Sequence, residues 1–156
     1  LSQARLTGAQ LLPTNFKQAN FVRADLRFFY CLDCLFNAAN FSQSDLRRAV
    51  IDRDSTLDFA DFTEAKLDAA TFQMVSFYQT TFHRTSGVEM KFDSSSFDGS
   101  SFVENRFVRS SFVQSHFSNL IFNRTDFAGS TFVNSTFSHV TMFQNNLNDV
   151  TFIRSI

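Results

Sequence analysis

From Phe92 to Phe137 every fifth residue is phenylalanine, ten in succession. A period of five suits neither the 3.6-residue turn of an α-helix nor the two-residue alternation of a strand. It marks an internal repeat. Two positions before most of these rings stands a small residue: Ser95, Ser100, Ser110, Ser115, Thr125, Ser130 and Ser135.

The period extends both ways. Forward, the repeat centres are Met142, Leu147 and Phe152; backward they are Gly87, Phe82, Phe77, Phe72, Leu67, Phe62 and Leu57. Before residue 57 the register slips by one, and the centres become Ile51, Leu46, Phe41, Phe36, Cys31, Leu26, Phe21, Phe16, Leu11, Leu6 and Leu1. Of the 23 phenylalanines, 19 are centres, where random placement would put roughly one in five.

Blocks such as Ala19-Asn20-Phe21-Val22-Arg23, Ala24-Asp25-Leu26-Arg27-Phe28, Ala39-Asn40-Phe41-Ser42-Gln43 and Ala60-Asp61-Phe62-Thr63-Glu64 run small, Asp or Asn, Leu or Phe, then two variable residues. In this the chain resembles the pentapeptide-repeat proteins over essentially its whole length. Later blocks depart from the pattern, with Ser, Thr or Asn in the small slot. The resemblance implies an all-β fold, a right-handed quadrilateral parallel β-helix with four repeats per coil and about eight coils.

The residues agree with such a tube. On an extended segment, positions two apart face one side. The centre and the small slot can therefore both point inward, and large-with-small alternation can fill a narrow interior at normal density. Residues 20 apart should stack at strand spacing, roughly 4.8 Å. That predicts four inner columns. The first runs Leu57, Phe77, Phe97, Phe117, Phe137; the second, Phe62, Phe82, Phe102, Phe122, Met142. The third runs Leu67, Gly87, Phe107, Phe127, Leu147; the fourth, Phe72, Phe92, Phe112, Phe132, Phe152. The outward charges keep the same rhythm: Glu64, Arg84, Glu104, Arg124 alternate in sign every 20 residues, as do Glu89 with Arg109 and Arg106 with Asp126. Opposite charges on neighbouring rungs attract and like charges repel.

The chain is read as a single repeat domain over 1–156, in sub-blocks 1–51 and 57–156, and as a fragment of something longer. The six-residue step from Ile51 to Leu57 predicts an extra residue at a corner, as in a bulge. Pro13 is expected at a corner. Phe29, bulky in a small slot, precedes the small centre Cys31, which predicts a local exchange of size. Gly87 predicts a void at a centre, with Met90 placed to fill it. Cys31 and Cys34 both point inward in this register and are expected as buried thiols acting as small apolar residues.

Chemistry is sparse. His116 and His139 fall on one predicted face of adjacent coils with no third ligand, and no histidine meets a nucleophile and a carboxylate. No catalytic residue, metal site or cofactor is expected. There is no basic stripe, and nearly all aromatics are committed inward, which disfavours direct nucleic-acid binding. No apolar run approaches a membrane span. A cytoplasmic location is expected, with a secreted effector as the other possibility.

Two surfaces stand out as partner candidates. The residue after the centre turns apolar late in the chain: Val88, Val103, Val108, Val113, Val133, Phe143 and Ile153. An acidic stretch holds Asp52, Asp54, Asp58, Asp61, Glu64 and Asp68. The expected function is a non-catalytic protein-binding or scaffold module. It would meet a protein partner or a second copy through the C-terminal end or the valine face. The resemblance implies an alternative, because some pentapeptide-repeat proteins mimic DNA, bind type II topoisomerases and confer quinolone resistance. Mimicry needs a strong negative field, and this chain carries a net charge of only −1.

Overall fold

A computed structural model describes all residues, 1–156. It contains no helix. The strands are short, parallel, and paired to the residue 20 positions on. Numbered along the chain, β1 (Gln10–Leu11), β2 (Tyr30–Leu32), β3 (Val50–Asp52), β4 (Thr71–Gln73), β6 (Lys91–Asp93), β8 (Ser111–Val113), β10 (Thr131–Val133) and β12 (Thr151–Ile153) form one eight-stranded sheet. The strands β5 (Thr81–His83), β7 (Ser101–Val103), β9 (His116–Asn123) and β11 (Thr136–Phe143) form a second, four-stranded sheet. Isolated parallel bridges such as Asn20↔Asn40, Asp25↔Asp45 and Ser76↔Ser96 line the remaining walls. The molecule is therefore a quadrilateral β-solenoid, with seven full turns between β1 and β12.

The four inner columns define the four sides. The eight-stranded sheet is the fourth side and the four-stranded sheet is the second. Phe97 stacks on Phe77 at 4.8 Å and on Phe117 at 4.9 Å, with ring planes within 4°. Phe92–Phe112–Phe132–Phe152 repeats the arrangement at 5.0, 4.7 and 5.0 Å. Neighbouring columns meet edge to face, as Phe92 and Phe97 do at 5.2 Å and 72°. Each buried ring is worth about 1.5–3 kcal/mol, and each aromatic pair adds about 0.5–1.5 kcal/mol.

Every corner but one is turned by a left-handed residue two positions after a centre. Twenty-eight non-glycine residues have positive φ, among them Arg23, Gln43, Glu64, Arg84, Glu104, Arg124 and Gln144. This conformation costs L-residues roughly 1–2 kcal/mol each, so the stacked interior must over-determine it. Pro13, whose ring fixes φ negative, is the exception, at the corner after Leu11. At the register slip both Arg53 and Asp54 are left-handed, with φ of 51° and 58°, and Ile51 pairs with Phe72, 21 residues on. The extra residue is absorbed in that corner.

Two local expectations concern size. Phe29 is buried in its slot beside the small centre Cys31, with its ring 6.3 Å from that of Phe36. At Gly87 the thioether of Met90 occupies the space a Cβ would need. In the same third column, Phe107 and Phe127 meet at 65° instead of stacking. The cysteines are a correction. Cys31 and Cys34 are not separate thiols but are joined as a disulfide, Cα atoms 6.0 Å apart. A centre and the next inward slot flank a single corner, so their side chains converge.

Candidate functional surfaces

Residues that follow successive centres lie on successive sides, so the apolar set is distributed over three walls. Val113, Val133 and Ile153 stand in direct register on the fourth side. Val103 and Phe143 flank Asn123 on the second side. Val88 and Val108 lie on the third side, 20 residues apart. Phe143 and Ile153 are about half exposed, and Val108 is buried. The acidic set rings one coil, and all of its members but Asp54 are tied down by hydrogen bonds. Asp58 accepts from Ser76 Oγ and the Tyr78 backbone N–H; Asp61 accepts from Thr63 and Ser42. Glu64 accepts from Gln43, Asp68 from the Val88 N–H, and Asp52 from the Arg53 N–H. His116 precedes a centre and touches Thr136. His139 occupies a corner and bonds Ser138. The two histidines thus flank stacked centres of the same side, Phe117 and Phe137, but are not in register with one another.

The charge rhythm is realised as a ladder up one corner. Arg23 donates to Gln43 at 2.7 Å and Gln43 to Glu64 at 2.9 Å. Arg84 bridges Glu64 at 3.9 Å and Glu104 at 3.0 Å. Arg124 then reaches Glu104 at 3.3 Å and Gln144 at 3.0 Å. The Arg84 guanidinium holds the Glu104 carboxyl below its ordinary range against the opposing effect of burial, with further help from Arg124. Arg109 and Glu89 pair at 3.2 Å. Arg106 and Asp126 stand opposite one another but form no ion pair. Asp126 is taken instead by the Ala128 N–H and the Asn146 side chain.

The third side carries a groove of about 490 Å³ where the short Ala69 lies between projecting neighbours, Phe28 and Arg48 on one hand and Glu89 and Arg109 on the other. Its cations are mostly spoken for. Arg27 grips Asp25 through Nε at 2.8 Å and Nη2 at 2.7 Å. Arg47 grips Asp45 in the same way at 2.8 and 2.6 Å. The Arg27 hydrogen bond drives the Asp25 carboxyl far below the usual carboxylate range. Burial opposes ionisation of Asp45, yet the hydrogen bonds from Arg47 keep its carboxyl below that range. Arg48 alone makes no salt bridge, and its guanidinium lies 5.5 Å from the centre of the Phe28 ring.

On the second side the repeat rules fail together around residues 119–125. Leu120, not a small residue, fills the slot and is buried. Strand β9 runs on through the corner at Asn119 instead of stopping before it. The Phe122 ring tilts 43° from Phe102 where other rungs of that column lie within 5°. Asn123 Oδ1 and Thr125 Oγ1 are buried without a hydrogen-bond partner. A depression of about 360 Å³ opens there, lined by Ser101, Val103, Asn119, Leu120, Ile121 and Asn123 together with Ser100. Periodicity alone could not foresee it, although Leu120 in a slot was the visible signal.

The family model for pentapeptide repeats matches eight copies, over residues 1–29, 14–51 and 53–84. This is more than half of the chain, and the chain belongs to that family. No curated sequence is significantly similar to it. Among solved structures it resembles full-length QnrB1, described as a plasmid-mediated fluoroquinolone resistance protein. That match has a TM-score of 0.60 and 14% identity, over 92% of this chain and 93% of that one. A trypsin-treated variant of QnrB1 gives a TM-score of 0.55 and 15% identity, over 97% and 86% of the respective chains. At such identities the likeness is one of fold. No helix is long and apolar enough to cross a membrane.

Proposed function

We propose that the chain is a rigid, non-catalytic protein-binding rod, a scaffold whose outer walls are its working surfaces. The observation that carries this reading is the file Val113–Val133–Ile153 on the flat eight-stranded side, three aliphatic side chains in register. Aligned outward apolar groups on a flat parallel sheet offer a partner contiguous area to bury. The interior supports the absence of catalysis in this reading: its inward side chains pack rings or bind backbone. DNA mimicry of a topoisomerase is the weaker alternative, because the acidic groups encircle one coil and all but Asp54 are hydrogen-bonded, where mimicry calls for a continuous negative stripe. Photo-crosslinking from position 133 should capture a discrete protein that Val113→Asp abolishes; capture unaffected by that change would count against the rod. A gyrase supercoiling assay inhibited at micromolar protein would instead favour the mimic.

A further inference from the structure

We propose that the depression around Asn123 is a docking site for an uncharged, extended peptide segment of a partner protein. The proposal rests on the protein-binding reading above and gives it a specific place and chemistry. Its ground is the coincidence of independent irregularities within one rung. An over-sized slot residue, a tilted ring and a strand running through its corner share the rung with two polar atoms lacking partners. Irregularities also occur at Gly87–Met90 and along β11, but only here do they coincide with unpartnered polar atoms, and such local failures gather at functional sites. Buried polar atoms without partners are rare enough to require an explanation of their own.

The chemistry of the depression selects the ligand. Asn123 stands between Val103 and Phe143 in the same outward file. Beside it Ile121, 56% exposed, lies between Ser101 and Thr141. A carboxamide offers one acceptor and a pair of donors, the complement of a peptide group. Its terminal torsion is soft, so a small rotation turns the unpartnered oxygen toward the opening. Aliphatic side chains on an extended strand recur on one face about every 6.6 Å and would lie along Val103, Ile121 and Phe143. No charged residue lines the depression, so a charged segment would lose its hydration without finding a counter-ion.

The test is a titration of the full-length ¹⁵N-labelled chain with acetyl-Val-Thr-Val-Thr-Val-amide, with an equally long Glu/Lys peptide as control. Saturable shifts confined to Val103, Ile121, Asn123 and their neighbours are expected, with none from the control. Asn123→Leu should weaken binding at least tenfold, equivalent to about 1.4 kcal/mol. Ile121→Asp, at an exposed position that leaves the fold intact, should abolish it. No saturable shift, shifts scattered along the rod, or unchanged affinity in Asn123→Leu would overturn the site. So would a dimer in sedimentation that Ile121→Asp dissolves, since a second copy would then be the occupant. Crosslinks from position 133 that persist when the peptide fails would leave the scaffold standing and remove this site alone.

Discussion

The two halves of the rod turn the same corner by different chemistry. In the N-terminal half the corner closes on itself: the slot N–H bonds the carbonyl of the centre three residues before it. Ala24 to Phe21, Ala39 to Phe36, Ala49 to Leu46 and Ala60 to Leu57 do this at 2.9–3.0 Å. In the C-terminal half most corners instead receive a side chain from the coil above, although where that slot is apolar, as Val150 is above Ser130, the corner still closes on itself, Ser130 N–H to the Phe127 carbonyl at 2.9 Å. Ser130 Oγ accepts from the Ser110 N–H at 3.0 Å and donates to the Phe107 carbonyl at 2.7 Å. Asn105 treats Thr85 and Phe82 alike, and so does Asn145 with Thr125 and Phe122, at 2.8–2.9 Å. Ser110, Ser135 and Ser155 clip three more corners. Alanine cannot do this, having no polar atom. The difference teaches that the small slot carries two duties: it sets the bore of the tube, and where it is polar it rivets one coil to the next. The match to the family model ends at residue 84, close to where the rivets begin.

If the riveted half also depends on its rings, the largest effect should come from the stack. Phe97 touches Phe77, Phe117, Phe92 and Phe102 with centroids 4.8–5.8 Å apart. Phe97→Ala should cost about 3–5 kcal/mol, read as a lower urea midpoint. Phe97→Leu, which imports the leucine used at Leu26 and Leu46, should recover more than half of that. A loss below about 1 kcal/mol for Phe97→Ala would show that the ring column is not what holds the coils.

The sharpest comparison uses two buried serines. Ser130→Ala leaves the Ser110 N–H and the Phe107 carbonyl without partners, at about 1–3 kcal/mol. Ser44 is equally buried, but its corner is already closed by its own N–H to the Phe41 carbonyl at 3.0 Å, and its hydroxyl only adds to that carbonyl. Ser44→Ala should cost less than about 0.5 kcal/mol. Equal losses in the two variants, measured by denaturant unfolding, would erase the distinction between the halves.

The five- and twenty-residue periods made the ring columns and the Glu64–Arg84–Glu104–Arg124 ladder legible, because a solenoid turns sequence distance directly into height. What period counting missed is chemistry local to a corner. Cys31 and Cys34 look like two small inward residues, and only the convergence of their side chains joins them. Arg106 and Asp126 keep the 20-residue spacing, yet Asn146 competes for the carboxylate. The rivets were written in the slots as Ser, Thr and Asn, but a hydroxyl that sets bore and one that bridges coils share the same letter. The Asn123 depression depends on how Leu120 displaces its neighbours, and no spacing rule encodes that.

The smallest effect should come from the ladder, which crosses from one half to the other and so tests whether surface charge contributes to either. Its pairs are exposed, and exposed pairs are worth about 0.2–1 kcal/mol. Glu104→Gln should therefore lower the urea midpoint only slightly at low salt, and less again at 1 M salt, where the screening length falls to about 3 Å. The pH dependence has a definite sign. Glu104 titrates below its ordinary value of 4.5 in the folded chain, so the unfolded chain binds its proton first on acidification. The contribution is whole above the unfolded value and is lost as pH falls through the lowered folded one. Wild type and Glu104→Gln should accordingly differ at pH 7 and converge only once the pH has fallen below the lowered folded value. A gap that persists in acid would mean that the glutamine loses packing and not charge. The ladder would then be a covering of aliphatic stems over the corner, independent of its alternating signs.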